Sequence, residues 1–292
     1  MQRIALTLAY DGARFDGWQT QPSGRTVQDA LEASLAQMAG HPVRVACAGR
    51  TDAGVHASAQ VAHFDTAAQR PLQAWVRGVN ARLPDAVAVL DARFVPAGFH
   101  ARYSALRRHY AYLLHCAPVA HPLLAGRVGW EFRPVDVAAM RAGAGHLLGE
   151  HDFSAFRAAQ CQAKTPVRTL ERLAVTSLGD IVVLEFTANA FLHHMVRNIV
   201  GALVAVGTGR RPPEWIAQLL ASRDRRQAAA TFAGSGLYLA GVDYDGETGA
   251  HVGRPHGLGG LSALFGSTPA PGGPAPVQGG SAPLSIRAGD SS

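Results

Sequence analysis

Apolar side chains at Ile4, Leu6 and Leu8 alternate with small or polar ones, the period-two pattern of a half-buried strand, and lead to a turn at Tyr10-Asp11-Gly12. The period then changes to that of a helix. Val27, Ala30, Leu31, Ser34, Leu35 and Met38 share one face, and Gly40 closes the segment. At its start, Thr26 with Asp29 resembles a capping box in which Asp replaces Glu. Strands over 43–47 and 60–64 flank a loop of small residues. Pro71 opens a second helix with Leu72, Trp75, Val76, Val79 and Leu83 inward; Pro84 stops it, and 87–94 reads as strand.

The order strand, helix, strand, strand, helix, strand is the ferredoxin-like arrangement shared with RNA-recognition domains, and it puts the loop of small residues between the two middle strands. From about residue 99 the pattern restarts. A strand over 103–115 is rich in Arg and aromatics, and Val137, Met140, Ala144 and Leu147 mark a helix. Strands over 167–176 and 181–187 flank a Gly179-Asp180 turn. A helix over 190–206, a shorter one over 214–220 and a strand over 237–244 complete a second α/β lobe. The expected organisation is a first lobe over 1–100, a second over 101–249 and a tail over 250–292. Gly, Pro, Ser and Ala dominate that tail, which has too little apolar surface to offset chain entropy and is expected to be disordered.

Charge narrows the class of partner. The net charge is +6, and the cationic residues are almost all Arg, with Lys164 the only Lys. The tail holds Arg254, Arg287 and Asp290, so nearly all of the excess belongs to the folded part. A planar guanidinium suits phosphate and base stacking, which points to nucleic acid; codon drift in a GC-rich genome produces the same bias. Cys47, Cys116 and Cys161 lack the spacing of a zinc site or disulfide framework and read as reduced thiols. No apolar run reaches membrane-spanning length and a strand-like segment starts at once, so a soluble, cytoplasmic protein without a signal peptide is expected.

The loop between the middle strands, Ala48-Gly49-Arg50-Thr51-Asp52-Ala53-Gly54-Val55-His56-Ala57, carries a cation, a carboxylate and an imidazole between glycines. Such a loop is either a solvated turn or a site held between strands. Arg197 lies on an otherwise apolar stretch and needs a carboxylate or phosphate partner, because an unpaired buried guanidinium is costly. On one continuous helix it would share a face with His193. The adjacent His193 and His194 would point to different faces with no third ligand spaced to join them, which argues against metal. Arg107-Arg108-His109-Tyr110 interleaves basic and aromatic groups, as base stacking with phosphate contact requires, or as aromatic packing on a helix produces. No Walker-type loop, dinucleotide fingerprint or Ser-His-Asp signature is present.

These segments together resemble the tRNA pseudouridine synthase A (TruA) family. The likeness is carried by Tyr10-Asp11-Gly12, Gly17-Trp18-Gln19, Arg25-Thr26-Val27-Gln28, the ten-residue Asp52 loop, Phe99-His100-Ala101-Arg102, His151-Asp152-Phe153 and 189–201, in the family's order. The resemblance implies an α+β fold of two ferredoxin-like lobes fused through a continuous, mostly antiparallel sheet with a central basic cleft. It implies isomerisation of uridine to pseudouridine at positions 38, 39 and 40 of the tRNA anticodon arm, by a homodimer, without cofactor or metal. Asp52 would be the catalytic aspartate, Tyr110 the ring stacked on the uracil, Arg197 the arginine paired with the aspartate, and Arg50 the arginine that replaces the flipped base. Two rivals make different predictions: a non-catalytic RNA binder would tolerate Asp52→Asn, and a hydrolase using Asp52 and His56 would release a product.

Overall fold

The computed structural model describes residues 1–246; the expectation for the 250–292 tail lies outside them. The first half runs β1 (Gln2–Tyr10), α1 (Val27–Ala39), β2 (Ala46–Cys47), β3 (His56–Thr66), α2 (Leu72–Asn80) and β4 (Val87–Val95). The second runs β5 (Ala105–Cys116), β6 (Gly129–Glu131), α3 (Val137–Gly145), β7 (Gly149–Asp152), β8 (Val167–Leu178), β9 (Ile181–Ala188), α4 (Met195–Gly207), α5 (Trp215–Ser222) and β10 (Leu237–Tyr244). The α+β expectation holds at this level: ten strands form one sheet, in the order β4-β1-β3-β10-β5-β9-β8-β7, with β2 beside β3 and β6 beside β5. Pairing is antiparallel except at β5–β6 and at the short β3–β10 contact, where Tyr238 faces His56 and Leu239 faces Ala57. Among the described residues no helix is long and apolar enough to cross a membrane.

β1 is buried on both faces, not one. Ile4, Ala5, Leu6, Thr7 and Leu8 are all nearly inaccessible. Ile4 pairs with Phe64, whose ring meets Trp75 of α2 at 5.1 Å, so α2 covers that face. Ala5 pairs with His63 on the other face, where His63 Nδ1 accepts from the Ala101 N–H at 3.2 Å. The Phe99-His100-Ala101-Arg102 motif is therefore a strap laid over the sheet, held also by Arg3 donating to the carbonyls of Ala97 and Phe99.

Three element boundaries differ from expectation, each for a local reason. The strand expected over 43–47 shrinks to β2, because the Val45 N–H is taken by the Glu32 carboxylate at 3.0 Å in place of a strand partner. The strand expected from residue 60 begins at His56, inside the Asp52 loop motif. The helix expected from residue 190 begins at Met195, because His194 adopts the left-handed conformation at φ 62° and no α-helix passes through such a residue. The Thr26 cap is as expected, its hydroxyl accepting from the Asp29 N–H.

Two cores flank the joint between β3 and β10, and β10 serves both. Its Leu239, Val242 and Tyr244 pack with the first half, and Leu237 with the second; Val55, next to the Asp52 loop's end, also joins the second core.

Candidate active site

The Asp52 loop leaves β2 and enters β3, and the groups that fix it come from the motifs around it. The Ala48 N–H donates to Val61 O at 2.8 Å, and the N–H of buried Trp18 donates to Thr51 O at 3.0 Å. The Tyr10 hydroxyl meets Thr51 Oγ1 at 2.8 Å, and Gln60 Nε2 donates to Gly49 O at 2.6 Å. Gly12 lies so close that a Cβ there would sit 2.0 Å from Val55 O, a distance no side chain survives. Tyr10-Asp11-Gly12 and Gly17-Trp18-Gln19 are thus the buttress of the loop. The solvated-turn reading of the loop fails on these contacts.

Held this way, Asp52 projects its carboxylate into a cleft of about 1080 Å³ at the joint between the halves. Arg197, from the first turn of α4, donates from Nη1 to Asp52 Oδ2 at 2.9 Å and from Nε to Phe232 O at 2.8 Å. The partner that an arginine on an apolar helix demanded is therefore Asp52, from the other half of the chain. His193 and His194 come to the same carboxylate, Nε2 to Oδ1 at 3.2 Å and Nε2 to Oδ2 at 3.3 Å.

This corrects the expectation that adjacent histidines diverge. Their ring centroids are 4.0 Å apart, because the left-handed turn at His194 cancels the divergence of successive helical residues. It also corrects the reason for grouping His193 with Arg197: His193 precedes α4 and reaches Asp52 from the preceding segment. Among the described residues, Asp52, His193 and His194 are the group whose donor atoms, within 4.8 Å of one another, could hold a metal ion. Arg197 already occupies Oδ2 and competes with any cation for that oxygen. Burial holds His194 below its ordinary value, against the opposing pull of Asp52.

Tyr110, on β5, lines the cleft and meets Phe191 edge-to-face at 5.0 Å and 81°. Burial pushes its phenol well above the ordinary range, so it is neutral. Of the interleaved segment, only Arg108 and Tyr110 face the cleft; Arg107 pairs with Glu171, and His109 with Asp243 at 3.0 Å. Arg50 is exposed on the cleft wall and makes no ion pair among the described residues. His56, four residues after Asp52, is elsewhere: it is 3% exposed and both ring nitrogens are bonded to backbone.

Two further arginines belong to the wall: Arg108, from the interleaved segment, and Arg168, which sequence reasoning did not single out. Arg108 donates only to carbonyls, those of Ala48, Arg102, Ala105 and Asn189, and has no carboxylate partner among the described residues. Arg168 likewise bonds to the carbonyls of Thr165 and Val167, and its buried Nε has no hydrogen-bond partner among the described residues. The signal was available in principle as arginines outnumbering nearby acids. Cys47, Cys116 and Cys161 are free, and burial pushes the Cys47 thiol up to about 12.

Residues 7–104 and 144–245 match the tRNA pseudouridine synthase family, a span that includes Arg50, Asp52 and Arg197 and leaves Tyr110 outside. The tRNA pseudouridine synthase A of Methylobacillus flagellatus is 56% identical over 84% of this chain and 94% of its own. That of Neisseria meningitidis serogroup C is 59% identical over 83% of this chain and 92% of its own. Among solved structures, a chain of a Cbf5-Nop10-Gar1 complex aligns at 12% identity and TM-score 0.36, covering 83% of this chain and 51% of that one.

Proposed function

We propose, from the premise that this chain belongs to the tRNA pseudouridine synthase A family, that Asp52 is the catalytic group of its reaction. The protein is an isomerase that converts uridine in tRNA to pseudouridine. The C1′–N1 bond breaks, the detached uracil turns, and C1′ joins C5; N1 gains a proton and the hydrogen of C5 leaves to water as another. A base inside a helix cannot be reached, so the uridine leaves the stack and enters the cleft.

Asp52 supplies the anionic group that cleavage at the ribose calls for, a role an aspartate can fill as nucleophile or as base. Arg197 fixes the carboxylate's direction. The neutral Tyr110 ring stacks on the uracil, which holds the base yet lets it turn, as hydrogen bonds to every edge would not. Arg50, without an ion pair among the described residues, takes the place of the displaced base. Arg102, Arg108 and Arg168 meet the phosphate backbone. One observation carries this reading: a partly buried carboxylate at the cleft, gripped at 2.9 Å by an arginine 145 residues away.

The reading extends to positions 38–40 of the anticodon arm and to a cytoplasmic homodimer, on the strength of family membership. It also takes the halves 1–100 and 101–249 as ferredoxin-like lobes. The strand orders β4-β1-β3-β2 and β10-β5-β9-β8, which repeat one connectivity, support that division.

The test is tritium release from [5-³H]uridine-labelled tRNA. Wild type releases tritium, and Asp52→Ala binds the tRNA but loses release by at least about a thousandfold, as removal of a catalytic group commonly does. Tight binding without release by wild type would favour the RNA binder; equal release by both would remove Asp52 from the centre of the reaction.

A further inference from the structure

The contacts of His193 and His194 are not used by the reaction as derived so far, and their backbone is unusual. Among the described residues, His194 and Arg223 are the non-glycine residues with positive φ. Arg223 sits at the C-terminal cap of α5, where that conformation is common, but His194 sits at the N-terminal cap of α4. A cap residue at that end ordinarily turns its side chain onto the helix's first N–H groups; His194 makes no such bond. Its imidazole is spent on Asp52 instead. A sparsely populated backbone held in place beside a reactive group is the observation from which a function is inferred.

The approach to the turn is tied down at several points. Asn189 Oδ1 accepts from the N–H of Ala190 at 2.8 Å and of Thr169 at 3.2 Å. His193 donates its N–H to Cys161 Sγ at 3.4 Å and accepts at its carbonyl from Ala158 at 3.0 Å. The two adjacent rings, tilted by 39° to each other, thus reach Asp52 from a fixed frame. Each carboxylate oxygen has an imidazole Nε2 within 3.3 Å, and Oδ2 accepts from Arg197 as well.

We propose that His193 and His194 are positioning residues that clamp the two oxygens of Asp52 and so fix the plane of its carboxylate for its step at the ribose. The proposal rests on the reading of Asp52 as the catalytic group. Arg197 alone holds one oxygen and leaves the carboxylate free to rotate about its Cβ–Cγ bond; an imidazole packed close to each oxygen restricts that rotation. Preorganisation of this kind acts on turnover and leaves RNA affinity to the arginine-lined walls.

The experiment measures kcat and KM for tritium release by wild type, His193→Ala, His194→Gly, His193→Gln, His194→Gln and Asp52→Ala. Glycine accepts the left-handed backbone at 194, so that variant deletes the imidazole and spares the turn. Glutamine places an N–H donor near the position of the imidazole Nε2. The expected result is a fall in kcat of roughly 10–100-fold for His193→Ala and for His194→Gly, KM within about twofold, and substantial recovery in the glutamine variants. Unchanged kcat in both deletions, with Asp52→Ala inactive, would overturn the clamp and leave Asp52 as the catalytic group. Activity in Asp52→Ala would overturn the underlying reading instead. A rise in KM at constant kcat, or loss of thermal stability in the deletions that glutamine does not restore, would also overturn the proposal by making the pair an RNA contact or a structural device.

Discussion

His56 lies close to Asp52 in sequence and has a different task. Its Nδ1 accepts from the Gly12 N–H at 3.1 Å, and its Nε2 faces the carbonyls of Gly126 at 2.9 Å and Ser235 at 3.1 Å. Only the neutral ring with hydrogen on Nε2 meets all three. Its face rests on Tyr238 at 4.6 Å, across the β3–β10 joint. Burial lowers its affinity for a proton, against the carboxylate of Asp11 at 3.2 Å from Nδ1. The hydrolase reading of Asp52 with His56 fails on this geometry, since His56 has neither access to the cleft nor a nitrogen to spare. His63 is a second buried imidazole, pushed by burial from 6.5 to about 4. For both, the unfolded chain takes up the proton first as pH falls, so stability is complete above the ordinary histidine range and is lost below it. The thermal midpoint is expected to hold near pH 7 and to drop between about pH 6.5 and pH 4. The drop is shallower in His63→Gln, whatever its starting stability. An identical pH slope in the variant, measured by calorimetry, would refute the assignment to His63.

At the scale of the element, α4 shows what the sequence let one see. Its apolar run was legible, and so was the need of Arg197 for an anion, because a guanidinium among valines has few solutions. The start of the helix was not. Ala190 to His194 carry no glycine or proline to mark a break, and the turn at His194 is imposed by contacts to Asp52, Cys161 and Ala158 that are remote in sequence. Local propensity cannot report such contacts. The face of α4 that carries Arg197 holds, one turn further on, a constraint that can be tested. A Cβ on Gly201 would lie 2.2 Å from Ala230 O, in the loop whose Phe232 holds Arg197 through its carbonyl and donates its N–H to Arg197 O at 3.2 Å. In an open helix Gly→Ala gains about 1 kcal/mol. Here the backbone oxygen cannot move without dragging Phe232, so the overpacking cost of about 1–3 kcal/mol outweighs that gain. Gly201→Ala is expected to lower stability in urea unfolding and to reduce kcat together with it. A more stable variant of full activity would show that the loop yields freely.

For the whole molecule, the joint is what brings the proposed site together. The first half supplies Asp52 and Arg50, the second Tyr110 and Arg197, and the register between them rests on two residue pairs of a parallel contact. The order of strands and helices could be read from periodicity apart from the short β6 and β7, but a parallel contact between β3 and β10 has no connecting turn to announce it. The charge of +6 was legible from the start; its placement was not, because it depends on which arginines the fold leaves without acids. Arg168 is the most informative of these. Arg108 braces Ala48 and Asn189, so its loss would disturb the site, whereas the hydrogen bonds of Arg168 among the described residues go to its own strand and the residues leading into it. If Arg168 meets a phosphate, tRNA affinity falls with salt on a logarithmic slope to which each such contact adds about 0.7–0.9. Arg168→Gln is therefore expected to flatten that slope by about one and to weaken binding at low salt, with kcat at saturating tRNA unchanged. Asp52→Asn leaves the slope as it is. Filter-binding or fluorescence titrations at several salt concentrations measure both, and an unaltered slope in Arg168→Gln would place its guanidinium away from the RNA backbone.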